Sequence, residues 1–490
     1  MKAAGFFAFA ATVALALSIG SASAADLGAS CCADLEERIA DLEAITVRKG
    51  DRKMSLTVTG HVHRVVLWWD DGHSSGTYYG LDSTNFSSRF VFRGSAKVNP
   101  SVSMGFDITI EIEAGGTSSK LSQFDEDGKV GAQINGSNAG SFNSANVDSY
   151  FGDARRVAWW IEHKDLGRLT VGRWEFAGVY PTIDLTGHLF LAAGGSFVLL
   201  NGTFFIRGPT GQYYAMVWAQ VGDPAAAGGR TELVRYDSPS WNGFIYSASI
   251  AEAGDYWGTM VRYAGEHGGF RIAGQVGYER ITDIATPVTV DPTDVAFTGR
   301  RPNITARGFA LSAMHIPTGL FVQGHYNAAD YGGEIIGAAS GYWGESTRHK
   351  KPVDHWLIQA GVSKNWFGSG NTSVYGEYGV ANDVGADITN AAGTTVGRNF
   401  AIAGFTAVSG VTSTETKVWG MGIAQEIDAA NTTLYIGYRH FDADIRCTDL
   451  GAAATCSGGV AVSAAAGTFT THKLATEGAD VIVAGLRVRF

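Results

Sequence analysis

The most constraining feature of this sequence is the run SVSMGFDITIEIE at residues 101–113, in which apolar and non-apolar positions alternate. Because successive side chains on a β-strand point to opposite faces, the run predicts a strand with one apolar and one polar face. Its thirteen residues are many for a soluble strand, where about 5–6 is common. A tilted strand that crosses a bilayer needs about 9–11 residues. The run therefore favours a membrane-spanning strand.

The same alternation recurs at residues 54–63, 270–279 and 481–490. In the last of these, VIVAGLRVRF, we expect one parity to face lipid and the arginines to face the lumen or the rim. After His63 the alternation is lost in RVVLWW, which indicates a bulge or positions in an aromatic belt. The lipid-facing set predicted for the last segment is Ile482, Ala484, Leu486, Val488 and Phe490.

Short turn sequences and longer connections alternate between the strand-like segments. The short turns lie at 97–101, 163–167, 237–243, 265–269, 315–319, 367–371 and 427–431. The longer connections lie at about 70–86, 114–153, 175–230, 283–300, 331–352, 382–413 and 443–477. Short turns at one end and long loops at the other are typical of outer-membrane barrels.

A membrane-spanning sheet must close on itself, because no backbone group can stay unpaired in hydrocarbon. We therefore predict an all-β fold, a transmembrane antiparallel β-barrel over residues 54–490. A first strand, seven hairpins and a last strand give sixteen strands. A further hairpin in 200–221 would make eighteen, but we place it inside the long connection 175–230. A soluble β-sandwich also alternates, but its strands are shorter and its apolar face points to a core.

The first residues predict export. Residues 1–24 have a positive start, an apolar middle and an Ala-x-Ala-like cleavage site, which is the pattern of a signal peptide. Residues 25–53 are then a periplasmic segment with a short helix, because Leu35, Ile39 and Leu42 lie at helical spacing. Three copies of this helix could form a coiled coil, and the alternatives are a frayed tail or a surface helix.

Composition excludes several other classes. The net charge is −10 and there is no basic stripe, so nucleic acid is not an expected partner. The mean hydropathy of +0.02 does not fit a bundle of membrane helices. Residues 185–206 are long enough for one membrane helix, but they contain four glycines, an asparagine and a histidine. We therefore assign them to a loop of the barrel.

The cysteines and one serine motif are the remaining candidates for chemistry. Cys447 and Cys456 are nine residues apart in an exported chain, which predicts a disulfide, whereas the role of the pair Cys31–Cys32 stays open. GHSSG at 72–76 matches the Gly-x-Ser-x-Gly motif around Ser74, but no helix pattern follows it. We predict no enzyme, no metal site and no cofactor.

Several segments together resemble the general porins of Gram-negative bacteria, in particular those of alphaproteobacteria. This resemblance implies a trimer of sixteen-stranded barrels, each with its third extracellular loop folded inward to narrow the pore. The segments are the signal followed by ADLEERIADLEAITVRKGDRKMSLTVTGHV, then SSRFVFRGSAKVNP, LGRLTVGRWEF, VRYDSPSWNGF and GLRVRF.

The resemblance also implies a charged constriction. Its basic wall maps onto His61, Arg89, Arg173 and Arg235, and Arg93 shares the parity of Arg89. An arginine that faced lipid near the midplane would cost about 2–4 kcal/mol, so these side chains are expected to point inward. The inward loop is expected at 175–230, with Asp184 and then Glu175 as its acids. The acidic PEFGG-like stretch of many porins is missing, which leaves the ion preference open.

These observations predict a passive channel for small hydrophilic solutes and ions in the outer membrane of a Gram-negative bacterium. Its partners would be outer-membrane lipid, lipopolysaccharide and the barrel-insertion machinery, for which Phe490 resembles the family's recognition tail. One alternative is a substrate-selective channel of eighteen strands with an aromatic slide. A second is a structural outer-membrane protein whose pore is plugged by the long loop. An outer-membrane lipase is the enzyme alternative.

Overall fold

The computed structural model describes the chain in separate ranges. They are residues 54–82, 86–112, 121–124, 154–179, 183–187, 204–222, 229–251, 254, 256–282, 303–332, 349–388, 398–400, 404–448 and 471–490. The chain forms two compact units, Met1–Leu56 and Thr57–Phe490, and the fold below concerns the second. The predicted signal peptide and N-terminal helix lie outside the described residues.

The described residues contain strands and almost no helix. A one-turn helix α1 spans Ala219–Gly222, and a 3-10 turn spans Asp428–Ala430. The strands are β1 Ser55–Asp70, β2 Ser75–Asp82, β3 Arg89–Asn99, β4 Val102–Glu111, β5 Ala154–His163, β6 Gly167–Glu175, β7 Phe205–Arg207, β8 Tyr213–Val217, β9 Arg230–Asp237, β10 Phe244–Ala251, β11 Tyr256–His267, β12 Phe270–Ile281, β13 Asn303–His315, β14 Leu320–Gly332, β15 His349–Lys350, β16 Val353–Lys364, β17 Thr372–Asn382, β18 Asp387–Ile388, β19 Arg398–Phe400, β20 Val408–Ile427, β21 Thr432–Thr448, β22 Thr471–Leu474 and β23 Ala479–Arg489.

Sixteen of these strands close into one antiparallel barrel, which confirms the predicted fold and strand number. The order around the barrel is β1, β3, β4, β5, β6, β9, β10, β11, β12, β13, β14, β16, β17, β20, β21 and β23. The seam is the pairing of β23 with β1, from His61 opposite Arg489 to Asp70 opposite Asp480. The hairpin suspected within 200–221 is present as β7 and β8, but these two strands form a separate sheet.

The barrel buries polar side chains and exposes apolar ones, which is the reverse of the arrangement in a soluble protein. On β4, Asp107 is 3% exposed and Glu111 is 7% exposed, whereas the apolar Met104 is 40% exposed. On β23, Arg487 is buried, and its neighbours Leu486 and Val488 are exposed. The polar parity therefore faces the interior and the apolar parity faces outward. This distribution suits a barrel whose surroundings are lipid and whose lumen is polar.

The connections differ at the two ends of the barrel. All seven short turns predicted from the sequence lie at one end, named here the turn end, and join β3–β4, β5–β6, β9–β10, β11–β12, β13–β14, β16–β17 and β20–β21. The longer connections lie at the opposite end, named the loop end. β20 and β21 extend into segments predicted to be loops, because their loop-end halves pair with each other, from Val411 opposite Cys447 to Lys417 opposite Asp442.

The loop-end half of β1 departs from alternation because both of its faces contact apolar groups. Its register with β23 is continuous, while its pairing with β2 shifts between Val65 and Leu67. Val65, Leu67 and Trp69 are buried in a hydrophobic cluster inside the barrel. The bulge that we considered therefore exists only on the β2 side, and the inward apolar residues have a packing role.

Residues 204–222, which comprise β7, β8 and α1 and are named here the inner hairpin, supply part of that cluster, and most of its other members come from the barrel wall. The inner hairpin buries apolar side chains against β1, β20, β21 and β23, so the long connection after β6 folds into the barrel. Its buried members are Phe204, Ile206, Tyr214, Met216, Trp218 and Val221, and they meet Leu67, Val418, Phe441 and Val483 of the wall. No helix in the described part of the chain combines the length and the hydropathy needed to span a bilayer.

Candidate pore constriction

The connection that follows β6 enters the barrel along the inner faces of β10, β11 and β12. The ring of Phe176 stacks on that of Tyr256, with centroids 3.8 Å apart. The Ala177 N–H donates to Ser249 Oγ at 2.8 Å. Glycine makes this close approach feasible, because a Cβ at Gly277 would lie 2.2 Å from the carbonyl oxygen of Gly178. The wall thus has a groove in which the connection lies.

The inner hairpin is fixed at its own turn by a buried ion pair. Arg207 donates from Nε to Asp71 Oδ2 at 2.9 Å and from Nη2 to Ser74 Oγ at 2.9 Å. Its guanidinium also lies 3.5 Å from the centre of the Tyr213 ring. Arg207 is 7% exposed and Asp71 is 2% exposed. Because Asp71 follows β1, this pair ties the inner hairpin to the first loop-end connection.

Main-chain and hydroxyl contacts tie the inner hairpin to two further loop-end segments. The Thr406 N–H donates to the Tyr213 carbonyl, and the Ala215 N–H donates to the Thr406 carbonyl. The Tyr214 hydroxyl donates to the Ala475 carbonyl at 2.9 Å. The inner hairpin therefore occupies the lumen next to β1, β20, β21 and β23, and the wall formed by β3–β6 and β9–β11 lies on the other side.

The wall on that other side is rich in arginine, and its carboxylates are shared. Glu111 accepts from the Ser87 hydroxyl and from Arg155, and Arg89 lies 3.5 Å from it. We name these residues the Glu111 cluster. Glu111 and Arg89 are directly opposite each other on β4 and β3. The register of the two strands therefore sets this contact.

A second carboxylate is bound in the same way at the end of β6. Glu175 accepts from Arg156 Nε at 2.8 Å and Nη2 at 2.6 Å, and from Arg230 Nε at 3.2 Å. These three residues form the Glu175 cluster. Arg89 lies within electrostatic reach of Arg155, Arg156 and Arg230. The Glu111 and Glu175 clusters are therefore neighbours in one electrostatic site.

Nearer the turn end, two aspartates hold further arginines. Arg93 donates to Asp107 at 2.8 Å. Asp237 accepts from Arg235 Nη2 at 2.8 Å and Nε at 3.0 Å, and from Arg262 Nη2 at 2.7 Å. The inward faces of β3–β6 and β9–β11, with the arginines of all these contacts, are named here the arginine wall.

Tryptophan side chains help to orient two arginines of this wall. Arg156 lies 4.5 Å from the ring centre of Trp174, and Arg168 lies 4.3 Å from that of Trp160. A guanidinium over an aromatic face is attracted by the ring quadrupole. The contact holds each guanidinium against the wall.

The residues proposed from the sequence are found in three places. Arg89, Arg93, Arg235 and Glu175 belong to the arginine wall, as just described. His61 lies beside it, where its Nε2–H donates to the Ser87 carbonyl at 2.9 Å.

Arg173 and Asp184 are placed differently. Arg173 donates to the main-chain carbonyl of Ala154 at 2.9 Å, so its visible contact is with the end of β5. Asp184 accepts from the N–H and hydroxyl of Thr186. It lies within electrostatic reach of Arg487 and Tyr375, on the β17 and β23 side of the lumen.

Other members of the arginine wall were not proposed from the sequence. Asp107 and Glu111 occupy the polar parity of the opening strand, which was a usable signal. No periodic signal pointed to the remaining ones, which are Arg155, Arg156, Arg168, Arg230, Asp237 and Arg262.

The opposite part of the inner wall carries a buried polar ladder. Arg439 holds Glu377 with bonds of 2.5 and 3.0 Å, and Gln359 donates to Glu377 at 2.8 Å. Arg439 and Glu377 are on β21 and β17, with β20 between them. They meet because Gly420 of β20 has no side chain: a Cβ there would lie 2.8 Å from Glu377 Oε1.

Two other sequence features have visible contacts. The hydroxyl of Ser74, the candidate nucleophile of GHSSG, accepts a hydrogen bond from Arg207. Cys447 is disulfide-bonded. Cys456, its predicted partner, lies outside the described residues, so that pairing stays a prediction.

The chain resembles known proteins in sequence and in structure. Residues 10–386 match the family model described as Gram-negative porin. Comparison with curated proteins gives no match. Among solved structures, in-vitro folded OmpT of Vibrio cholerae in its trimer form is 12% identical, with 90% of this chain and 100% of that chain covered and a TM-score of 0.43. OmpF of Salmonella typhi in complex with daunomycin is 10% identical, with 89% and 98% covered and a TM-score of 0.43. The outer membrane channel DcaP of Acinetobacter baumannii is 10% identical, with 90% and 99% covered and a TM-score of 0.40.

Proposed function

The chain belongs to the Gram-negative porin family, and we propose that its barrel is a water-filled channel through which small hydrophilic solutes and ions diffuse passively across the outer membrane. One observation carries this proposal. The closed barrel exposes apolar side chains such as Met104 and Leu486 on its outer face and encloses charged ones such as Glu111 and Arg487. Such a wall is stable only with lipid outside and water or polar groups inside.

The mechanism follows from the shape of the lumen. The inner hairpin fills one side, so solutes pass between it and the arginine wall. Passage is then limited by size and biased by charge, and it needs neither an energy source nor a cofactor. We propose that His61, Arg89, Arg93, Arg235 and Glu175 line this constriction. Asp184 and Arg173 would lie at its margins.

Two alternative functions, a hydrolase and a structural protein, can be compared with the channel. The family is one of channels, and we propose that the chain has no hydrolase activity, since the Ser74 hydroxyl is engaged by Arg207. A structural protein with a plugged pore is the second candidate. The observation that favours it is the apolar packing of the inner hairpin inside the barrel.

Uptake by liposomes distinguishes a channel from a plugged barrel. We expect liposomes that contain the refolded protein to swell in neutral monosaccharides, more slowly in disaccharides and least in tetrasaccharides, because the constriction sieves by size. The measurement is the initial rate of light-scattering change. Liposomes with heat-denatured protein are the control. Equal rates with native and denatured protein would support the plugged structure instead.

We further propose that the chain forms a homotrimer in a membrane of phospholipid and lipopolysaccharide, as the family resemblance implies. The barrel-insertion machinery would deliver it. Phe490 is the candidate contact for that machinery, and it also completes the seam. Its N–H and carbonyl exchange hydrogen bonds with Gly60, and its ring packs against Phe90 at 5.7 Å.

Replacing Phe490 with alanine is expected to lower the yield of assembled barrel and to leave the conductance of each assembled channel unchanged. The ring is 55% exposed, on the outer face of the barrel. The measurement is the fraction with heat-modifiable gel mobility in isolated outer membranes. Val488→Ala, another outward residue of β23, is the matched control. A normal yield for Phe490→Ala would refute the role of Phe490 in assembly.

A further inference from the structure

We propose that the channel prefers anions, and that Arg155 and Arg230 are the residues that set this preference. The inference rests on the proposed channel function and adds the class of solute. The sequence left the ion preference open, and the net charge of −10 would by itself suggest cations. The geometry of the arginine wall points the other way.

Arginines outnumber carboxylates in the neighbouring Glu111 and Glu175 clusters. Glu111 is shared by Arg89 and Arg155, and Glu175 is shared by Arg156 and Arg230. Among the described residues of this site, four positive and two negative charges leave 4 − 2 = +2. One arginine is enough to neutralise each glutamate. The second arginine of each cluster therefore contributes a charge that no carboxylate of the cluster offsets.

Asp237 and its two arginines repeat the arrangement nearer the turn end. Asp237 is bound by both Arg235 and Arg262, which adds 2 − 1 = +1. The excess of positive charge therefore extends along the path of a solute, from the Glu111 and Glu175 clusters toward Asp237.

Arg155 and Arg230 are more accessible to solutes than Arg89. The side chain of Arg155 is 21% exposed and that of Arg230 is 31% exposed, against 14% for Arg89. Arg155 uses Nη1 for Glu111 and Arg230 uses Nε for Glu175. A guanidinium has five N–H donors in a fixed fork. Each of these two side chains can therefore keep its carboxylate and still present N–H groups to an anion in the lumen.

Two acids on the opposite side of the lumen, Glu377 and Asp184, face arginines of their own. Glu377 is bound one-to-one by the buried Arg439. Asp184 lies within electrostatic reach of Arg487, across the lumen from the Glu175 cluster. Local charge at a narrow site, in low-dielectric surroundings, raises the concentration of counter-ions there. Small anions such as chloride, phosphate and carboxylates are therefore favoured over cations.

The zero-current potential across a planar bilayer under a KCl gradient tests the inference. The wild-type protein is expected to give the sign of a chloride-permeable channel. In the variant Arg155→Gln/Arg230→Gln we expect the chloride-to-potassium permeability ratio to fall by about threefold or more, since local potentials of several kT are reduced. Each glutamate keeps one arginine in this variant, so the barrel should still fold. Heat-modifiable mobility checks that it does.

Two further variants make the test specific. Arg155→Lys/Arg230→Lys keeps both charges and should keep the anion preference. Arg271→Gln/Lys364→Gln removes two charges from the turn end, outside the arginine wall, and should change the ratio little. A wild-type channel that conducts and prefers potassium would overturn the inference and leave the channel function standing. An unchanged ratio in Arg155→Gln/Arg230→Gln would also overturn it, whereas absence of any conductance would instead contradict the channel function.

Discussion

Replacing Arg207 with alanine is expected to raise the mean conductance of the channel and to make the open current noisier. Arg207 is the buried partner of Asp71 and also binds Ser74. Breaking a buried ion pair on one side costs about 3–5 kcal/mol, because the remaining charge is left uncompensated. The inner hairpin should then move away from its packed position for part of the time, which would widen the lumen. Single-channel recording measures both effects.

A matched control is available on the same hairpin. Thr210→Ala changes an exposed residue at its tip and should leave the current unchanged. If Arg207→Ala gave the same conductance and noise as Thr210→Ala, the inner hairpin would not owe its position to this ion pair. The apolar contacts of Trp218 and Met216 would then be sufficient to hold it.

Replacing Glu377 with alanine is expected to lower the stability of the barrel by about 3–5 kcal/mol, since it leaves Arg439 buried without its carboxylate. The side chains of Arg439 and Glu377 are 1% and 0% exposed. The measurement is the free energy of unfolding in urea, followed by tryptophan fluorescence of the protein in liposomes.

Glu266→Ala is the control for this change. Glu266 also pairs with an arginine, Arg271, but both side chains are about half exposed at the turn end. Such a pair is worth about 0–1 kcal/mol. Equal losses for Glu377→Ala and Glu266→Ala would show that the polar ladder has no special role in stability. A double variant, Glu377→Leu/Arg439→Met, should recover much of the loss because no unpaired charge remains.

The fold could be predicted because its determinants are local. Alternation at residues 101–113 fixes the two faces of β4, and turn sequences such as HIPTG and FGSGN mark the strand ends. The loop-end half of β1 was harder to interpret. Its inward residues Leu67 and Trp69 are apolar, which breaks the alternation in the sequence. Only their packing with the inner hairpin explains them.

The constriction could be predicted only in part, because it depends on contacts between segments that are distant in the sequence. Arg89 and Arg93 were found because they lie in a strand with clear parity. Arg155 and Arg230 stand at strand ends next to long connections, where periodicity gives no direction. Their roles depend on contacts with Glu111 and Glu175, which the register of neighbouring strands creates. Gly420 is similar, since its importance comes from the two charged side chains that cross it.

Single-channel recording in a planar bilayer tests the central claim most directly. The wild-type protein, checked for folding by heat-modifiable mobility, should produce stepwise increases in current. For a homotrimer, the current steps should come in groups of three, one for each barrel. The conductance of each step should rise in proportion to the salt concentration, because ions move through water. A folded protein that inserts into the bilayer and gives no current steps would contradict the account of an open, water-filled channel.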